Sequence, residues 1–369
     1  MMSGKHWLKG AAVAAAMLVA GGAGAETVKI GAILPMTGEA ASYGHWMRNG
    51  MAIAADEVNA AWKGKDELVI VYEDSKSNPK DAVAAMNKLM AADKVGAVMT
   101  TLTGTTRALI PVAEQNKLIL TTSATLPGLT ENTRYVFRNA TNLGSEINAL
   151  VDYAAPRFKK AAVLWANLEW ASWGRKAFVD GFTKRGGTVV EDQSFAPDAT
   201  DLRVQLTKIR AARPDVVLVL AYKSSGLALK QARELGLDAQ FVGTLDFELP
   251  EVVAIAKQAA DGAIYTKALF DPADPAAPAA MSAYGAEYKR RYNEAPEVYS
   301  ATMYDMVKML ADALLKSGGD AEKARGLILA TANYPGASGT TTFLPNGDVD
   351  KTVELKTIKD GKYLPFTAK

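Results

Sequence analysis

Cysteine is absent from the 369 residues, which excludes disulfide bridges, thiolate nucleophiles and attachment of a lipid through an N-terminal cysteine. Histidine is nearly absent as well, because the sequence contains two, His6 and His45. Two histidines without any cysteine leave too few ligands for a zinc site. We therefore expect neither a metal site nor a cofactor.

A dominant charge is also missing. The chain contains 42 Lys and Arg against 40 Asp and Glu, a formal net charge of +2, so no basic surface is expected to hold nucleic acid or an anionic membrane. Hydrophobic residues make up 49%, which is ordinary for a folded protein. A single core stops growing at about 250–300 residues, so the length predicts at least two domains.

Motifs of catalysis are missing too. Neither Gly-x-x-x-x-Gly-Lys-Ser/Thr nor Gly-x-Ser-x-Gly occurs, and no Gly-x-Gly-x-x-Gly follows the first predicted strand. His45 has no serine or aspartate at triad spacing, so we interpret it as a surface residue at a helix start. Glu73 and Asp74 lack a calcium-loop pattern and are interpreted as a solvated strand end. The sequence predicts no catalytic residue.

The first 25 residues have the features of an export signal. Lys5 and Lys9 precede an apolar run from Ala11 to Ala20, which is too short for a membrane span. The small residues 23–25 predict cleavage before Glu26, and export without cysteine predicts a bacterial periplasm. An uncleaved N-terminal anchor is the alternative.

Strands and helices alternate along the rest of the chain. Apolar patterns predict one series of strands at 28–34, 68–73, 95–100 and 117–121, and a second series at 161–166, 188–195, 215–221 and 240–244. Helical patterns lie between the strands, which predicts two parallel sheets covered on both faces. A proline-rich connection at 267–278 precedes helices at 279–292 and 299–317. Residues 340–343 and 352–358 are predicted to pair as a hairpin around Asn346 and Gly347.

Small hydroxyl residues follow two predicted strands. One segment, residues 100–106, includes Leu102 and Thr103, and the other, residues 121–125, includes Ser123 and Thr125. Ligands of open α/β sheets bind beyond the carboxyl ends of strands, where backbone N–H groups and helix N-termini favour an anion. The pair of segments predicts a carboxylate site, although each hydroxyl could instead be an ordinary helix cap.

Aromatic residues follow other strand ends. Trp170 and Trp173 lie in a segment that would expose costly apolar surface unless a ligand or the core covers it. Tyr222 follows a strand of the second series, and Tyr43 and Trp46 follow the first strand. We predict that these rings form the walls of the ligand site.

Several segments, taken in order, carry a resemblance to a known family. They are residues 28–38, Tyr43-Gly44, Glu73-Asp74, 121–125, Trp173-Gly174 and 231–236. This set resembles the branched-chain amino-acid-type solute-binding proteins of bacterial ABC importers, which are type I periplasmic binding proteins similar to the leucine-binding protein. The resemblance covers about residues 28–360.

The resemblance implies a fold of two doubly wound parallel-sheet lobes. Three crossovers would form a hinge, with the ligand cleft between the lobes. Residues 26–141 and 267–349 would form lobe one, and residues 142–266 and 350–369 would form lobe two, after the signal peptide 1–25.

The resemblance also implies roles for single residues. Hydroxyl and backbone N–H groups near Leu102, Thr103, Ser123 and Thr125 would hold the ligand carboxylate. Trp173, matched to an aromatic residue before glycine, would close over the ligand, and Tyr222 matches a tyrosine at the cleft edge. Leu245 stands where the family's amino-acid binders place an acid, with Asp246 next to it. If the loop is turned by one residue relative to the family, Asp246 would instead meet the ammonium of an amino acid.

The predicted function is the extracytoplasmic substrate-binding subunit of an ABC importer that is not itself an enzyme. Its ligand would be a small hydrophobic carboxylate, with an aromatic acid ahead of a branched-chain amino acid because of Leu245. Its partner would be an inner-membrane ABC permease. We expect that the protein binds no nucleic acid, that the mature chain does not insert into the membrane and that it is a monomer. A periplasmic sensor that hands its ligand to a receptor and a secreted enzyme are the alternatives. A repressor core would begin with a DNA-binding helix-turn-helix, and this chain begins with an export signal.

Overall fold

A computed structural model describes residues 26–366 of the chain. The predicted export signal therefore lies outside the described residues. The strands, in chain order, are β1 Thr27–Leu34, β2 Glu67–Asp74, β3 Ala97–Thr100, β4 Ile119–Thr122, β5 Val136–Arg138, β6 Lys160–Ala166, β7 Thr188–Phe195, β8 Val216–Leu220, β9 Gln240–Gly243, β10 Ile264–Ala268, β11 Tyr334–Gly336, β12 Gly339–Thr341, β13 Val353–Lys359 and β14 Lys362–Pro365.

Eleven α-helices alternate with these strands in the described part of the chain. They are α1 Ala41–Trp62, α2 Pro79–Lys88, α3 Thr103–Asn116, α4 Leu143–Ala154, α5 Glu169–Lys184, α6 Arg203–Ala212, α7 Ser224–Glu234, α8 Pro250–Ala256, α9 Ala279–Tyr292, α10 Val298–Ser317 and α11 Ala321–Leu329. A π-helical turn, Leu89–Asp93, extends α2, and short 3-10 turns span Leu245–Glu248 and Lys257–Ala260. No helix among residues 26–366 is long and apolar enough to cross a membrane.

Two sheets form the cores of two lobes, which confirms the predicted α/β class. The first sheet has the order β2-β1-β3-β4-β5, and all its neighbouring strands are parallel. The second has the order β14-β13-β10-β9-β8-β6-β7, in which β6 to β10 are parallel and β13 and β14 are antiparallel. Strands such as β3, β4 and β8 are buried at every residue, because helices cover both faces.

The chain passes between the sheets three times. The first passage joins β5 to α4, the second follows β10, and the third precedes β13. After the second passage, α10 returns to the first sheet and packs along α1. The prediction of three crossovers is therefore confirmed.

The predicted strands of both series are present, with ends that differ by a few residues. The first helix begins at Ala41 rather than near Trp46, so Tyr43 is helical. Its close approach to the preceding loop requires glycine next to Tyr43, because a Cβ at Gly44 would lie 2.3 Å from the carbonyl oxygen of Pro35. Strands β5 and β10 and helix α4 were not predicted from the sequence.

The predicted hairpin between residues 340–343 and 352–358 is wrong. Strand β12 pairs with β11, and β13 pairs with β10 and β14, so a bridge between Phe343 and Val349 is the part of the pairing that forms. The turn between them docks on the first sheet instead. The backbone N–H of Arg138 donates to the carbonyl oxygen of Gly347 at 2.9 Å, and the Arg138 side chain pairs with Asp348. These long-range contacts outcompete the local pairing.

Candidate functional site

A cavity lies between the two lobes, at the carboxyl ends of strands from both sheets. The empty space between its lining atoms, open solvent included, amounts to about 450 Å³. Its lining consists of Tyr43, Thr101, Leu102, Thr103, Ser123, Ala124, Thr125, Leu143, Glu146, Trp170, Tyr222, Thr244, Leu245, Asp246 and Tyr299. Nine of the residues that sequence analysis selected are in this lining.

The β3–α3 turn presents unpaired backbone donors to the cavity. The first backbone bond of α3 runs from the Thr106 N–H to the Leu102 carbonyl oxygen at 3.0 Å, so the N–H groups of residues 103–105 have no helical acceptor. Leu102 itself has a φ of 63°, a conformation that is strained for a residue with a branched side chain. Strain of this kind persists where surrounding structure holds it, and here it turns the N-terminus of α3 toward the cleft.

The hydroxyl loop after β4 lies directly beside that turn. Strands β3 and β4 are parallel neighbours, so the segments that follow them meet at one edge of the sheet. The Ser123 hydroxyl donates to Thr101 Oγ1 at 3.0 Å. Donors from both segments therefore converge on one wall of the cavity, and such a wall suits a carboxylate.

A buried ion pair holds the end of this loop. Arg138 is fully buried, and its Nε donates to Asp348 Oδ1 at 2.7 Å. Its Nη1 donates to the carbonyl oxygens of Thr125 at 3.0 Å and Leu126 at 2.9 Å. The guanidinium therefore positions the Thr125 backbone at the cavity wall without lining the cavity itself.

A second pair of contacts positions Tyr43. Asp74, at the end of β2, accepts a hydrogen bond from the Met36 N–H at 2.9 Å and another from the Thr37 hydroxyl at 2.8 Å. This carboxylate fixes the loop between β1 and α1, where sequence analysis expected a solvated strand end. The loop leads into the first turn of α1, which carries Tyr43.

Two acidic side chains line the cavity from the second lobe and from the first passage between the lobes. Asp246 is 7% exposed, and burial raises its pKa to about 6, while hydrogen bonds from Thr244 and Tyr43 oppose the shift. Glu146 is 3% exposed, and burial raises its pKa to about 7, opposed by a hydrogen bond from Thr141 and reinforced by the charge of Asp246. Lysine, arginine and histidine are absent from the described residues of the lining.

Four aromatic rings surround the same space. The Trp170 and Tyr222 rings lie 5.3 Å apart between centroids, and Tyr43 packs edge-on against Tyr299 at 5.2 Å. Tyr43 also meets Tyr222 at 6.3 Å, across the cleft. These rings supply rigid apolar walls around the polar groups.

Two predicted site residues lie outside this lining. Helix α5 begins at Glu169, so Trp170 is in its first turn and faces the cleft, whereas Trp173 lies further from the helix start and is 36% exposed. Trp46 packs edge-on against Tyr43 but lines a different cavity, next to Phe270 and Pro296. The indole that faces the cleft is therefore that of Trp170, whereas the resemblance had assigned this role to Trp173.

Six lining residues were not predicted from the sequence. They are Thr101, Ala124, Leu143, Glu146, Thr244 and Tyr299. Thr101 and Ala124 lie inside the hydroxyl segments and could have been found there. Glu146 and Tyr299 come from helices α4 and α10, and no local pattern marks either as a cleft residue. His45 does not reach the cavity, because its exposed ring contacts Glu294 at 3.1 Å.

No group of three or more His, Cys, Asp and Glu side chains able to hold a metal ion occurs among residues 26–366.

The family model for periplasmic binding proteins matches residues 27–362, which is nearly the whole described chain. The chain belongs to the periplasmic binding protein family. The resemblance of its sequence to periplasmic solute-binding proteins is thereby confirmed.

Relatives of this binding protein have been named or solved with ligand. The chain is 29% identical over 336 residues to the Leu/Ile/Val-binding protein BraC3 of Rhizobium johnstonii, covering 87% of this chain and 89% of that one. It superposes with a TM-score of 0.85 and 28% identity on the branched-chain amino acid transporter substrate-binding protein LivJ of Streptococcus pneumoniae in complex with isoleucine, covering 92% and 98% of the two chains. An ABC-transporter solute-binding protein of Rhodopseudomonas palustris in complex with 3,4-dihydroxybenzoic acid shares the fold, with a TM-score of 0.79, 24% identity and coverage of 92% and 95%.

Proposed function

We propose that this protein is the extracytoplasmic substrate-binding subunit of an ABC importer and that it captures a small α-amino acid between its lobes. The observation that carries the proposal is the buried carboxylate of Asp246, in a cavity whose opposite wall presents hydroxyl and backbone N–H donors. An α-amino acid has a carboxylate for the donor wall and an ammonium for Asp246. Names of relatives that bind leucine, isoleucine and valine support the same class of ligand.

The charge of the cavity favours an amino acid over the amine-free aromatic acid that the sequence favoured. Leu245 and Asp246 both line the cavity, so the loop offers an acid one residue after the position where the resemblance expects it. An amine-free carboxylate would enter a buried space that already holds Asp246 and Glu146 and no lining cation. Burying a further unpaired charge costs several kcal/mol, whereas an ammonium offsets part of this repulsion.

Capture by closure of the lobes is part of the proposal. Residues 26–141 and 267–349 would move as one lobe against residues 142–266 and 350–369. Contacts between the two sets support a closed arrangement: Lys223 lies 3.0 Å from Glu39, Arg107 lies 2.6 Å from Glu169, and Ser42 donates to Glu251 at 2.7 Å. Small-angle scattering should give a smaller radius of gyration with ligand, and an unchanged radius at saturation would contradict closure.

Export to the periplasm with cleavage before Glu26 is proposed for the same protein. Intact-mass measurement of the exported chain tests this directly, since retention of residues 1–25 would refute it. Uptake of labelled ligand by cells lacking the protein separates an importer subunit from a sensor. Loss of uptake supports the importer, and unchanged uptake with loss of a response supports the sensor.

Calorimetry tests the ligand class. Leucine and phenylalanine are titrated in parallel with isocaproate and phenylpropionate, which have the same skeletons without the amine. We expect binding of the amino acids and weak or no binding of the amine-free acids. Equal or tighter binding of the amine-free acids would overturn the proposed class.

A further inference from the structure

Glu146 has an oxygen that the protein leaves without a partner. Its Oε1 accepts a hydrogen bond from the Thr141 hydroxyl, within the first passage between the lobes. Its Oε2 accepts no hydrogen bond from the described residues 26–366, and Glu146 is one of the residues that line the cavity. A carboxylate oxygen of a cavity-lining residue that accepts no hydrogen bond from the protein is free to accept one from an occupant of the cavity.

Asp246 differs from Glu146 in this respect. Its Oδ1 accepts from the Tyr43 hydroxyl at 2.7 Å and its Oδ2 accepts from the Thr244 hydroxyl at 2.6 Å, so both oxygens are oriented by the protein. Oriented carboxylate oxygens keep further lone pairs for an ammonium. The single ammonium of an α-amino acid can pair with only one of these two carboxyl groups. If it pairs with Asp246, Glu146 is left to contact another part of the ligand.

The surroundings of Glu146 indicate which part of a ligand reaches it. Glu146 lies in the first turn of α4, and Leu143 from the same turn also lines the cavity. The carboxylate wall belongs to other segments, around Thr103 and Ser123. Glu146 thus lies on the same helical turn as an apolar lining side chain and on a different segment from the hydroxyl wall, in a position that suits a ligand side chain.

We propose that Glu146 Oε2 accepts a hydrogen bond from a donor on the side chain of the bound amino acid, so that this protein selects amino acids with a side-chain hydroxyl or amine over aliphatic isosteres. This inference rests on the proposed function, since it assumes an amino acid whose carboxylate and ammonium are bound elsewhere in the same cavity. It assigns Glu146 as a specificity-determining residue.

Threonine and valine form the matched pair of ligands for the test, because they have nearly the same shape and differ by a hydroxyl in place of a methyl group. Calorimetry of the full mature protein should give a dissociation constant for threonine at least about 10-fold below that for valine, as expected of a site built to accept a hydrogen bond. Serine and 2-aminobutyrate, a smaller matched pair, should show the same order.

Two variants separate selection from simple loss of binding. Glu146→Gln keeps an acceptor oxygen and should retain a preference for threonine, whereas Glu146→Leu removes it and should bring the threonine-to-valine ratio to about one. Circular dichroism and thermal unfolding show whether Glu146→Leu is folded. If it is not, the wild-type ratio and the Glu146→Gln ratio decide the matter.

The outcomes distinguish this inference from the proposed function. Binding of valine as tight as threonine by the wild type overturns the inference and leaves the function standing. An equal loss for both ligands in Glu146→Leu, with an unchanged ratio, also overturns it, because Glu146 would then act on the shared ammonium. If the wild-type protein, with Asp246 in place, binds no amino acid at all, both the proposed function and this inference are contradicted.

Discussion

The hydroxyl of Tyr43, on α1, donates a hydrogen bond to Oδ1 of Asp246, 2.7 Å away on the opposite side of the cleft. Tyr43 belongs to the element that follows β1, and Asp246 to the turn that follows β9, so the bond joins the two sheets. The same tyrosine packs against Tyr222 and Tyr299. Tyr43 therefore orients the Asp246 carboxylate, packs within the aromatic wall and links the two sides of the cleft.

Replacing this carboxylate tests its assigned partner. Asp246→Asn should weaken amino-acid binding by about 2–5 kcal/mol, because the ligand ammonium would be buried without its charge partner. Asp201→Asn is the control, since Asp201 is an exposed acid paired with Arg203. Calorimetry that finds amino-acid affinity unchanged in Asp246→Asn would remove Asp246 from the ligand site.

The hydroxyl wall can be tested separately from the acid. Ser123→Ala should weaken any carboxylate ligand by about 1.5–3 kcal/mol, the usual range for a hydrogen bond to a charged group, and Thr125→Ala should weaken it as well. Ser194→Ala, an exposed serine on β7, should have no effect. Affinities equal to the wild type in both site variants would show that the carboxylate lies elsewhere.

Alanine substitutions of the two tryptophans of α5 should have different effects on ligand binding. Trp170→Ala removes a buried ring that faces the cleft and should weaken ligand binding by about 2 kcal/mol or more. Trp173→Ala changes a partly exposed side chain outside the lining and should leave the dissociation constant within about threefold. Fluorescence or calorimetric titration of both variants checks this, and the reverse order would restore the assignment that the sequence favoured.

The ion pair between Arg138 and Asp348 should matter for stability. Arg138→Met leaves the Asp348 carboxylate without its buried partner and should lower the free energy of unfolding by about 3–5 kcal/mol. Adding Asp348→Asn to this variant should cost much less than the first change did, because the uncompensated charge is then gone. Urea unfolding curves of the single and double variants measure both effects, and strictly additive losses would argue against the pair.

Stability should depend on pH through Glu297. Burial raises the pKa of this carboxyl from 4.5 to about 7, with the charge of Lys267 opposing the shift. Since the folded pKa is raised, its contribution to stability is complete below about pH 4.5 and is lost as the pH rises through about 7. The loss amounts to about 3 kcal/mol.

Glu297→Gln isolates this contribution. The carboxyl caps α10 by accepting from the Tyr299 N–H at 2.7 Å, and a glutamine oxygen can accept the same bond. Unfolding free energies measured from about pH 5 to pH 8 should fall less steeply in the variant than in the wild type. Parallel curves would show that Glu297 is not the titrating group.

Much of the site could be predicted because it follows from strand order and local pattern. The hydroxyl segments after β3 and β4 converge because consecutive parallel strands were neighbours, so Ser123 meets Thr101 as the pattern implied. The choice between Trp170 and Trp173 was not available in the same way. The two residues lie three apart and share a face of α5, so the choice depends on where the helix begins relative to the cleft.

Sequence alone determined the α/β class, the two series of strands, the hydroxyl and aromatic segments and the family resemblance, because each is written in a short pattern of burial or of residue type. Tertiary structure decided the rest. Glu146, Tyr299 and Asp246 come from three segments far apart in the chain, and the turn at Gly347 left its expected hairpin to dock on Arg138. Such choices depend on which surfaces meet after folding, and packing and buried charge pairing between distant segments outweigh local preference.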